Sequence, residues 1–343
     1  MKDVKTEVSR ITWIDVCRGI GILLVMYGHV LSSDKNRFLI YSFHMPLFFF
    51  LSGWVFKYNR AEKMKNFIIK NIKQIIIPYF IFALATFTIW IIFLHPDSNA
   101  NILAELGGIL RGNGHYPNLE FNSPLWFLPC LFSVKIIYAF VTHFVHKRRF
   151  VYLLLALSSA LGYILFLHYL DSNIPYSLDI ALTALVFFGT GHLWKSHSQI
   201  IPYCKKYALL FFPAALVLTY IFALLNFQQY GFQIDMRVNR LNNYFYFYAG
   251  AFSGIISMIS LSYLINHNRV LEYLGKRTMI LFAWHYIIFT CITNITDSMT
   301  TIDFAPVKIW FPAIYTVIAC SIILVSNTLI KRINTIFATS HTK

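Results

Sequence analysis

Charge is scarce in this chain. Charged residues make up 13% of its 343 residues, against roughly a quarter in ordinary soluble domains, while hydrophobic residues make up 57% and aromatic residues 18%. Apolar runs of about 20 residues, long enough to cross a bilayer, recur along the whole sequence. This composition excludes a soluble globular protein, and we expect one integral membrane domain over residues 1–343 without a separate catalytic domain.

The sequence signals of metal and nucleotide sites are also missing. The five cysteines stand singly, without a CxxC pair or a metal-like spacing, and are most simply buried free thiols. The 12 histidines include no HExxH motif and no clustered His/Asp spacing. A glycine-rich phosphate-binding loop is absent as well. We therefore predict no metal, and a membrane metalloenzyme is the least favoured alternative.

Acidic residues are half as common as basic ones, with 14 Asp and Glu against 29 Lys and Arg, so the formal net charge is +15. Such an excess can indicate nucleic-acid binding, but its meaning depends on where the charges lie. The hydropathy pattern predicts an all-α polytopic helix bundle with about ten transmembrane helices. The spans are expected at about 14 to 31, 38 to 56, 76 to 95, 124 to 145, 150 to 168, 177 to 194, 207 to 225, 244 to 265, 278 to 295 and 308 to 330.

Lysine and arginine alternate between the connections of this layout. Of the 29, 21 fall on one side of the membrane and six on the other, and membranes retain such residues preferentially on the cytoplasmic side. We therefore predict cytoplasmic tails at 1–13 and 331–343, a multi-pass protein of the bacterial inner membrane, a lipid bilayer as its surroundings and no nucleic-acid partner. The sequence leaves the oligomeric state open. The six exceptions are Lys35, Arg37, Arg111, Arg237, Arg240 and Lys308.

The first predicted span contains ionisable side chains in otherwise apolar sequence. Such groups cost about 2.5 to 3.5 kcal/mol at a helix centre and usually face a cavity or a partner. Arg18 and His29 lie within about 20° of one helix face and about 16 Å apart along the axis, with Asp15 on the same stripe. The spacing predicts a cation near the cytoplasmic end and an imidazole near the outer end of one interior channel. The plainer alternative is an interfacial Asp15–Arg18 ion pair and a hydrogen-bonded core histidine.

The second predicted span runs inward from the outer side and carries His44 in its outer third. A short connection makes the first two spans antiparallel neighbours, so His29 and His44 can share one site. Pro46 removes a backbone hydrogen bond and can bend the helix around a cavity. Gly53, near the inner end of this span, permits close helix packing.

Two motifs in these spans resemble those of the membrane acyltransferase-3 family, and in particular its branch of fucose 4-O-acetylases and related acetyltransferases. The motifs are I-D-x-x-R-G-I with ten residues between Arg18 and His29, and F-H-M-P-L-F-F-F-L-S-G around His44. Weaker matches are S-P-L-W-F-L, which contains Trp126, and L-G-K-R-T-M followed by Trp284 and His285. The resemblance covers essentially the whole chain. It implies that Arg18 helps to hold an acyl-CoA donor and that His29 is the catalytic imidazole.

A mechanism follows from these residues and the resemblance together. His29 would take the proton of a carbohydrate hydroxyl as that oxygen attacks the thioester of acetyl-CoA, since a histidine pKa near 6.5 suits a general base. Arg18, with Asp15 beside it, and the basic segment 60 to 77, expected as a helix in the cytoplasmic interface, would hold the cytoplasmic end of the donor while its pantetheine arm reaches toward His29. An acyl-enzyme intermediate on His29 or a serine is the alternative mechanism.

Three further side chains are candidates around the acceptor. His44 would orient the acceptor or stabilise the developing oxyanion, and Trp126 would stack on a sugar face, although Trp also anchors membrane interfaces. His285 would contact the acceptor or serve as a buried polar packing residue. The competing function is a transporter or flippase of a glycolipid or polysaccharide precursor, because ten spans with intramembrane charge also suit a translocation path.

Overall fold

The computed structural model describes residues 11–31, 33–94, 102–115, 118–168, 174–196, 200–299 and 311–340. Regular structure in these ranges consists of helices and one isolated bridge between Asp235 and Arg240, which confirms the predicted all-α class. The α-helices are α1 (Thr12–Val30), α2 (Asp34–Tyr41), α3 (His44–Trp54), α4 (Met64–Asn71), α5 (Ile77–Phe93), α6 (Ile102–Arg111), α7 (Phe127–Phe144), α8 (Arg148–His168), α9 (Leu178–Ser196), α10 (Ile200–Lys206), α11 (Ala208–Tyr230), α12 (Tyr244–Ile265), α13 (Arg269–Gly275), α14 (Thr278–Met299) and α15 (Phe311–Ser340).

Eight helices in the described ranges are long and apolar enough to cross a membrane, so the chain is a polytopic helix bundle. They are Thr12–Val30, Met64–Phe93, Glu120–Phe144, Arg148–Leu167, Pro175–Lys195, Ala208–Tyr230, Tyr244–Ile265 and Thr278–Ile295. These eight coincide with all the predicted spans except the second and the tenth. The tenth falls on α15, whose apolar part with described side chains, Pro312–Thr328, is shorter. All ten predicted spans thus fall on helices, and eight of them meet the length and hydropathy of a full span within the described residues.

The second predicted span is the main correction, because it is broken into α2 and α3. Phe43 interrupts the helix with φ −138° and ψ −17°, and the Ser42 hydroxyl donates to the Leu39 carbonyl, 2.7 Å away. With 11 residues, α3 is roughly 16 Å long, about half the hydrocarbon thickness. Irregular backbone at such a depth is tolerated only where protein buries it or a cavity borders it. Ser42 and Phe43 are indeed 1% and 3% exposed.

The basic segment 60 to 77 is part of the third span instead of a separate interfacial helix. α4 continues into α5 through a π-helical turn at Ile72–Ile76, which gives one helix over Met64–Phe93. Pro78 lies just beyond this turn and cannot donate a backbone hydrogen bond. A proline ring also crowds the carbonyl four residues earlier, and a π-turn relieves that contact. Lys65, Lys70 and Lys73 therefore lie on the N-terminal part of one long transmembrane helix.

The connections assigned to the cytoplasm lie together at one end of the bundle. Trp13 at the start of α1 packs edge-on against Trp54 at the end of α3, with ring centroids 5.3 Å apart, and lies 5.6 Å from Tyr263 near the end of α12. The Arg60 side chain donates to the Thr142 carbonyl at the end of α7, 2.8 Å away. Residues 1–10 and 341–343 of the predicted tails lie outside the described residues, and α15 continues as helix through most of 331–343.

α3 is held against α9 by two glycine contacts. A methyl group on Gly53 would lie 1.9 Å from the Phe188 carbonyl oxygen, and one on Gly191 would lie 2.1 Å from the Phe50 carbonyl oxygen. Only glycine allows the two backbones to approach this closely, as predicted for Gly53. This contact fixes the short helix that begins with His44.

Candidate active site

A cavity of about 410 Å³ opens at the end of the bundle opposite these basic connections. The end of α1, the break between α2 and α3, the segment Glu120–Trp126, the loop around Asp235 and one face of α14 form its wall. Its lining residues are His29, Arg37, Tyr41, His44, Met45, Glu120, Ser123, Pro124, Trp126, Gln233, Asp235, Met236, Arg237, Phe282 and Tyr286. Three predicted site residues, His29, His44 and Trp126, therefore meet in one cavity.

His29 lies in the last turn of α1 and is partly exposed to this cavity. The Tyr41 hydroxyl is 3.5 Å from His29 Nδ1, at the outer limit of a hydrogen bond. The centroid of the His29 ring lies 5.1 Å from that of His285 and 5.7 Å from that of Tyr286. Among the described residues no backbone carbonyl fixes this imidazole, and its Nε2 is available for a ligand.

His44 is the first residue of α3 and is 4% exposed. Its Nδ1 lies 2.8 Å from the Ile40 carbonyl oxygen. Because a carbonyl only accepts, Nδ1 carries the proton, and Nε2 of the neutral ring carries the lone pair. The imidazole thus adds a second hydrogen bond to the Ile40 carbonyl, which also accepts the Phe43 backbone N–H at 3.3 Å, and it still presents an acceptor nitrogen.

His285 lies behind His29 instead of lining the cavity. Its side chain is fully buried, and Nδ1 donates to the Phe282 carbonyl at 2.8 Å. The Nε2 atom is buried without a hydrogen-bond partner. His285 thus packs against the His29 ring and is not among the residues that line the cavity, and its contact with an acceptor stays a prediction.

The segment Glu120–Trp126 brings Ser123 and Trp126 to the cavity wall. Asn122, fully buried, anchors it by donating from Nδ2 to the Ala283 carbonyl at 2.8 Å and to the Thr86 hydroxyl at 3.3 Å. Trp126 itself is 4% exposed. The sequence signal S-P-L-W located this segment, but Asn122, the residue that ties it to α5 and α14, was not predicted.

Four charged side chains also line the cavity and were not predicted as site residues. Arg237 pairs with Asp235 at 3.3 Å and donates to the Gly114 carbonyl at 2.9 Å. Arg37 donates from Nε to the Leu31 carbonyl at 2.6 Å, and Glu120 is exposed at the rim. The available signal was that Arg37 and Arg237 are exceptions to the cytoplasmic bias of basic residues.

The donor-side residues lie near the other end of α1. Asp15 is 3% exposed and Arg18 is partly buried. Lys135 of α7, half-buried within a span, is close enough to Arg18 and Lys70 for the three positive charges to interact. A depression of about 350 Å³ beside Lys70 and Lys73 adds further cationic surface there. Lys135 is a further candidate for the donor site, and its position within a span did not predict this role.

The channel predicted between Arg18 and His29 is closed in this structure. Ile22 and Val25 lie between them on the same face of α1, and their exposed fractions are 0% and 1%. Phenylalanine rings fill the neighbouring space. Phe127 lies 6.2 Å from Phe48 and 5.4 Å from Phe282, which reaches the cavity floor.

A family model described as an acyltransferase domain, that of the acyltransferase-3 family, matches residues 11–330. The chain belongs to this family. Neither curated proteins nor solved structures gave a match. The matched range includes both N-terminal motifs and every residue of the cavity, so the acyltransferase has the geometry described above within its family domain.

Of the three histidines in the acyltransferase, His29 is best suited to direct chemistry. His285 is sealed from the cavity, and the Nδ1 proton of His44 is engaged with a backbone carbonyl. His29 alone is partly exposed in the cavity and has neighbours on more than one side that can orient it. In the described part of the chain no three His, Cys, Asp or Glu residues are grouped as metal ligands, and all five cysteines are free thiols.

Proposed function

We propose that this acyltransferase moves an acetyl group from acetyl-CoA to a sugar hydroxyl of a cell-surface polysaccharide or its lipid-linked precursor, at the bacterial inner membrane. The observation that carries the proposal is the position of His29 in a cavity large enough for a sugar, bordered by an aromatic ring and polar groups. Membership of the acyltransferase-3 family supports acyl transfer as the type of reaction. The finer resemblance to sugar O-acetylases supports the donor and the acceptor class.

The proposed reaction begins with His29 as general base. The imidazole takes the proton of the acceptor hydroxyl while the oxygen attacks the thioester carbonyl, which forms a tetrahedral intermediate. When this collapses, the carbon–sulfur bond breaks, the ester remains on the sugar, and His29 returns its proton to the CoA thiolate. Such proton transfer typically contributes 10²- to 10⁴-fold to the rate.

His44 and Tyr41 have further roles in the proposed reaction. With Nδ1 committed to the Ile40 carbonyl, His44 can accept a hydrogen bond through Nε2 but cannot donate one. Its geometry therefore favours orienting the acceptor hydroxyl over stabilising an oxyanion. The Tyr41 hydroxyl, which lines the cavity near His29, is the better donor to the developing negative oxygen.

At the opposite end, Arg18, Lys70 and Lys135 form the proposed site for the donor phosphates. Guanidinium and ammonium groups bind phosphate strongly, and a phosphate would offset the cost of the Lys135 charge within a span. Asp15 belongs to the same end of α1 and helps to position this region. Because the path toward His29 is closed by Ile22, Val25 and the phenylalanine rings, the donor arm must separate these side chains when it binds.

The experiment uses the purified protein in lipid nanodiscs with radiolabelled acetyl-CoA and surface glycan extracted from a deletion strain. His29→Ala is expected to reduce acetyl incorporation by at least 100-fold. His146→Ala, which removes an exposed histidine at the basic end, is the matched control and should retain activity. Unchanged acetylation by a folded His29→Ala variant would contradict the role of His29 as the base, whereas a folded parent protein that incorporates no acetyl group would favour the flippase.

Incubation with the labelled donor alone distinguishes direct transfer from a mechanism with an acyl-enzyme intermediate. Labelled acetyl-protein that forms without acceptor and is discharged by added glycan would support an intermediate on His29 or on Ser123, the serine that lines the cavity. Absence of labelled protein under conditions that sustain turnover would favour direct transfer.

A further inference from the structure

One cation of the cavity has no anionic partner among the residues that the structure describes. Arg37 extends from α2 and is fixed by its Nε hydrogen bond to the Leu31 carbonyl, 2.6 Å away at the end of α1. Within the described residues, its two terminal nitrogens form no hydrogen bond or ion pair with the protein, and the residue lines the cavity. A guanidinium held at Nε in this way is pre-organised to bind an anion through its remaining donors.

The carboxylates of the cavity do not neutralise Arg37. Asp235 is engaged by the Arg237 side chain at 3.3 Å and accepts from the Arg237 backbone amide at 3.0 Å. Glu120 is exposed at the rim, and the ion pairs of the described residues do not include one between Glu120 and Arg37. Arg237 therefore has a carboxylate partner, whereas Arg37 forms no ion pair among the described residues.

A second polar group of the same cavity also lacks a partner. The Gln233 side-chain oxygen is buried and accepts no hydrogen bond, and the residue is only 8% exposed. An unsatisfied buried acceptor costs about 1 to 3 kcal/mol unless water or a ligand donates to it. A sugar hydroxyl is a suitable donor. Arg37 and Gln233 are thus two independent indications of a bound molecule with both an anionic group and hydroxyl groups.

We propose that the cavity is an acceptor site for an anionic sugar, in which Arg37 binds a carboxylate or phosphate of the acceptor and Gln233 accepts a hydrogen bond from a hydroxyl. This rests on the proposed function and narrows its substrate class. The anion has two chemical sources, the carboxylate of an acidic sugar or the phosphate of a sugar phosphate. Both would pair with Arg37 through charge-assisted hydrogen bonds.

The anion would also complement the reaction. The charges of Arg37 and Arg237 act on His29, and His29 becomes a cation when it takes the acceptor proton. A carboxylate or phosphate bound to Arg37 offsets one of those positive charges at the step where a new one forms. A neutral sugar supplies no such compensation, so the site selects its acceptor both in binding and in proton transfer.

The test measures binding without any acyl donor, so its outcome is separate from that of the acetylation experiment. The protein in nanodiscs of zwitterionic lipid is treated with diethyl pyrocarbonate, and modification of His29 is quantified by peptide mass spectrometry. The probes are glucose, glucuronate and glucose 1-phosphate. We expect at least one anionic probe to protect His29 at concentrations about 10- to 100-fold lower than glucose. Protection by glucuronate alone identifies the carboxylate, and protection by glucose 1-phosphate alone identifies the phosphate.

Variants separate direct binding from general charge. Arg37→Gln should abolish the preference for the anionic probe, and Arg37→Lys should retain part of it. Lys35→Gln removes an equal charge from an exposed position on the same helix, outside the cavity, and should leave the preference intact. The proposal is overturned if glucose protects His29 as well as both anions do, or if Arg37→Gln keeps the parental preference.

Discussion

Three imidazoles around one cavity have different access to a ligand and therefore different roles. His29 is partly exposed, His44 is fixed through Nδ1 to a backbone carbonyl, and His285 is sealed behind His29 with a free Nε2 lone pair. The His285 ring packs beside the His29 ring, with centroids 5.1 Å apart, and we expect its unpaired Nε2 acceptor to restrain the orientation of the His29 ring during the reaction. The consequence can be measured in the kinetics.

His285→Ala should lower kcat by about 10- to 100-fold while leaving the KM for the acceptor nearly unchanged, because a misplaced base slows the chemistry without removing an acceptor contact. His285→Asn, whose side-chain oxygen can still accept a hydrogen bond, should recover part of the loss. The measurement is steady-state acetylation in nanodiscs. His192→Ala, which removes a partly buried imidazole bonded to Tyr138 far from the cavity, is the control. A raised KM with unchanged kcat would instead assign His285 to the acceptor.

Helical periodicity makes some of these residues predictable and leaves others hidden. Arg18, His29 and His44 could be found because polar residues in apolar helices are costly and their spacing sets their face and depth. Arg37, Gln233 and Arg237 lie on a short helix and a loop, and only tertiary packing brings these segments together. Even so, Arg37 and Arg237 are exceptions to the predicted cytoplasmic bias of basic residues, and such an exception can indicate a residue of a functional site.

At the scale of elements, the break between α2 and α3 creates the cavity. The sequence predicts one span in which Pro46 bends the helix. In the structure Pro46 is the third residue of α3, where a missing backbone N–H is tolerated because the first turn has no intrahelical acceptor for it. The proline thus marks a helix start, and a hydropathy pattern cannot distinguish this from a bend inside a continuous apolar run.

The segment Glu120–Trp126 is held in part by an acid on α6. Glu105 is 3% exposed, and its carboxylate accepts the Glu120 backbone N–H at 3.2 Å. Burial raises the pKa of the Glu105 carboxyl from 4.5 to about 7, against the lowering effect of that hydrogen bond. The folded chain therefore retains a proton that the unfolded chain releases between these pH values. The stability that the folded chain gains from the protonated Glu105 carboxyl is fully present below about pH 4.5 and is lost as the pH rises through about 7.

Glu105→Gln should remove this pH dependence, because glutamine keeps the accepting oxygen and stays neutral. We expect the variant to be more stable than the parent at pH 8, by at most about 3 kcal/mol, and to match it near pH 4.5. Thermal unfolding of the detergent-solubilised protein at several pH values measures the difference. Glu62→Gln, at the basic end of the bundle, should show no such trend. A parent–variant difference that stays constant with pH would argue against burial as the cause.

Across the whole molecule, two polar regions at opposite ends are separated by packed apolar side chains. The basic end contains Arg18, Lys70 and Lys135, and the cavity end contains His29 and Arg37. The sequence predicted this division through the alternation of Lys and Arg, because charge asymmetry acts on entire connections and does not depend on side-chain packing. The closed passage between the ends was not predicted, since helical spacing fixes the face that a residue occupies but not what packs against it.

Cysteine labelling can test which end of the protein, the basic end or the cavity end, faces the cytoplasm. Four of the native cysteines are buried and the fifth is partly buried, so the parent protein provides a low background for a membrane-impermeant maleimide. Lys35→Cys, exposed beside the cavity, should react in spheroplasts, whereas Lys57→Cys, exposed at the basic end, should react only after permeabilisation. The physical reason is the retention of basic connections on the cytoplasmic side. If Lys57→Cys reacts first, the cavity faces the cytoplasm and the acceptor must be a cytoplasmic precursor rather than an exported glycan.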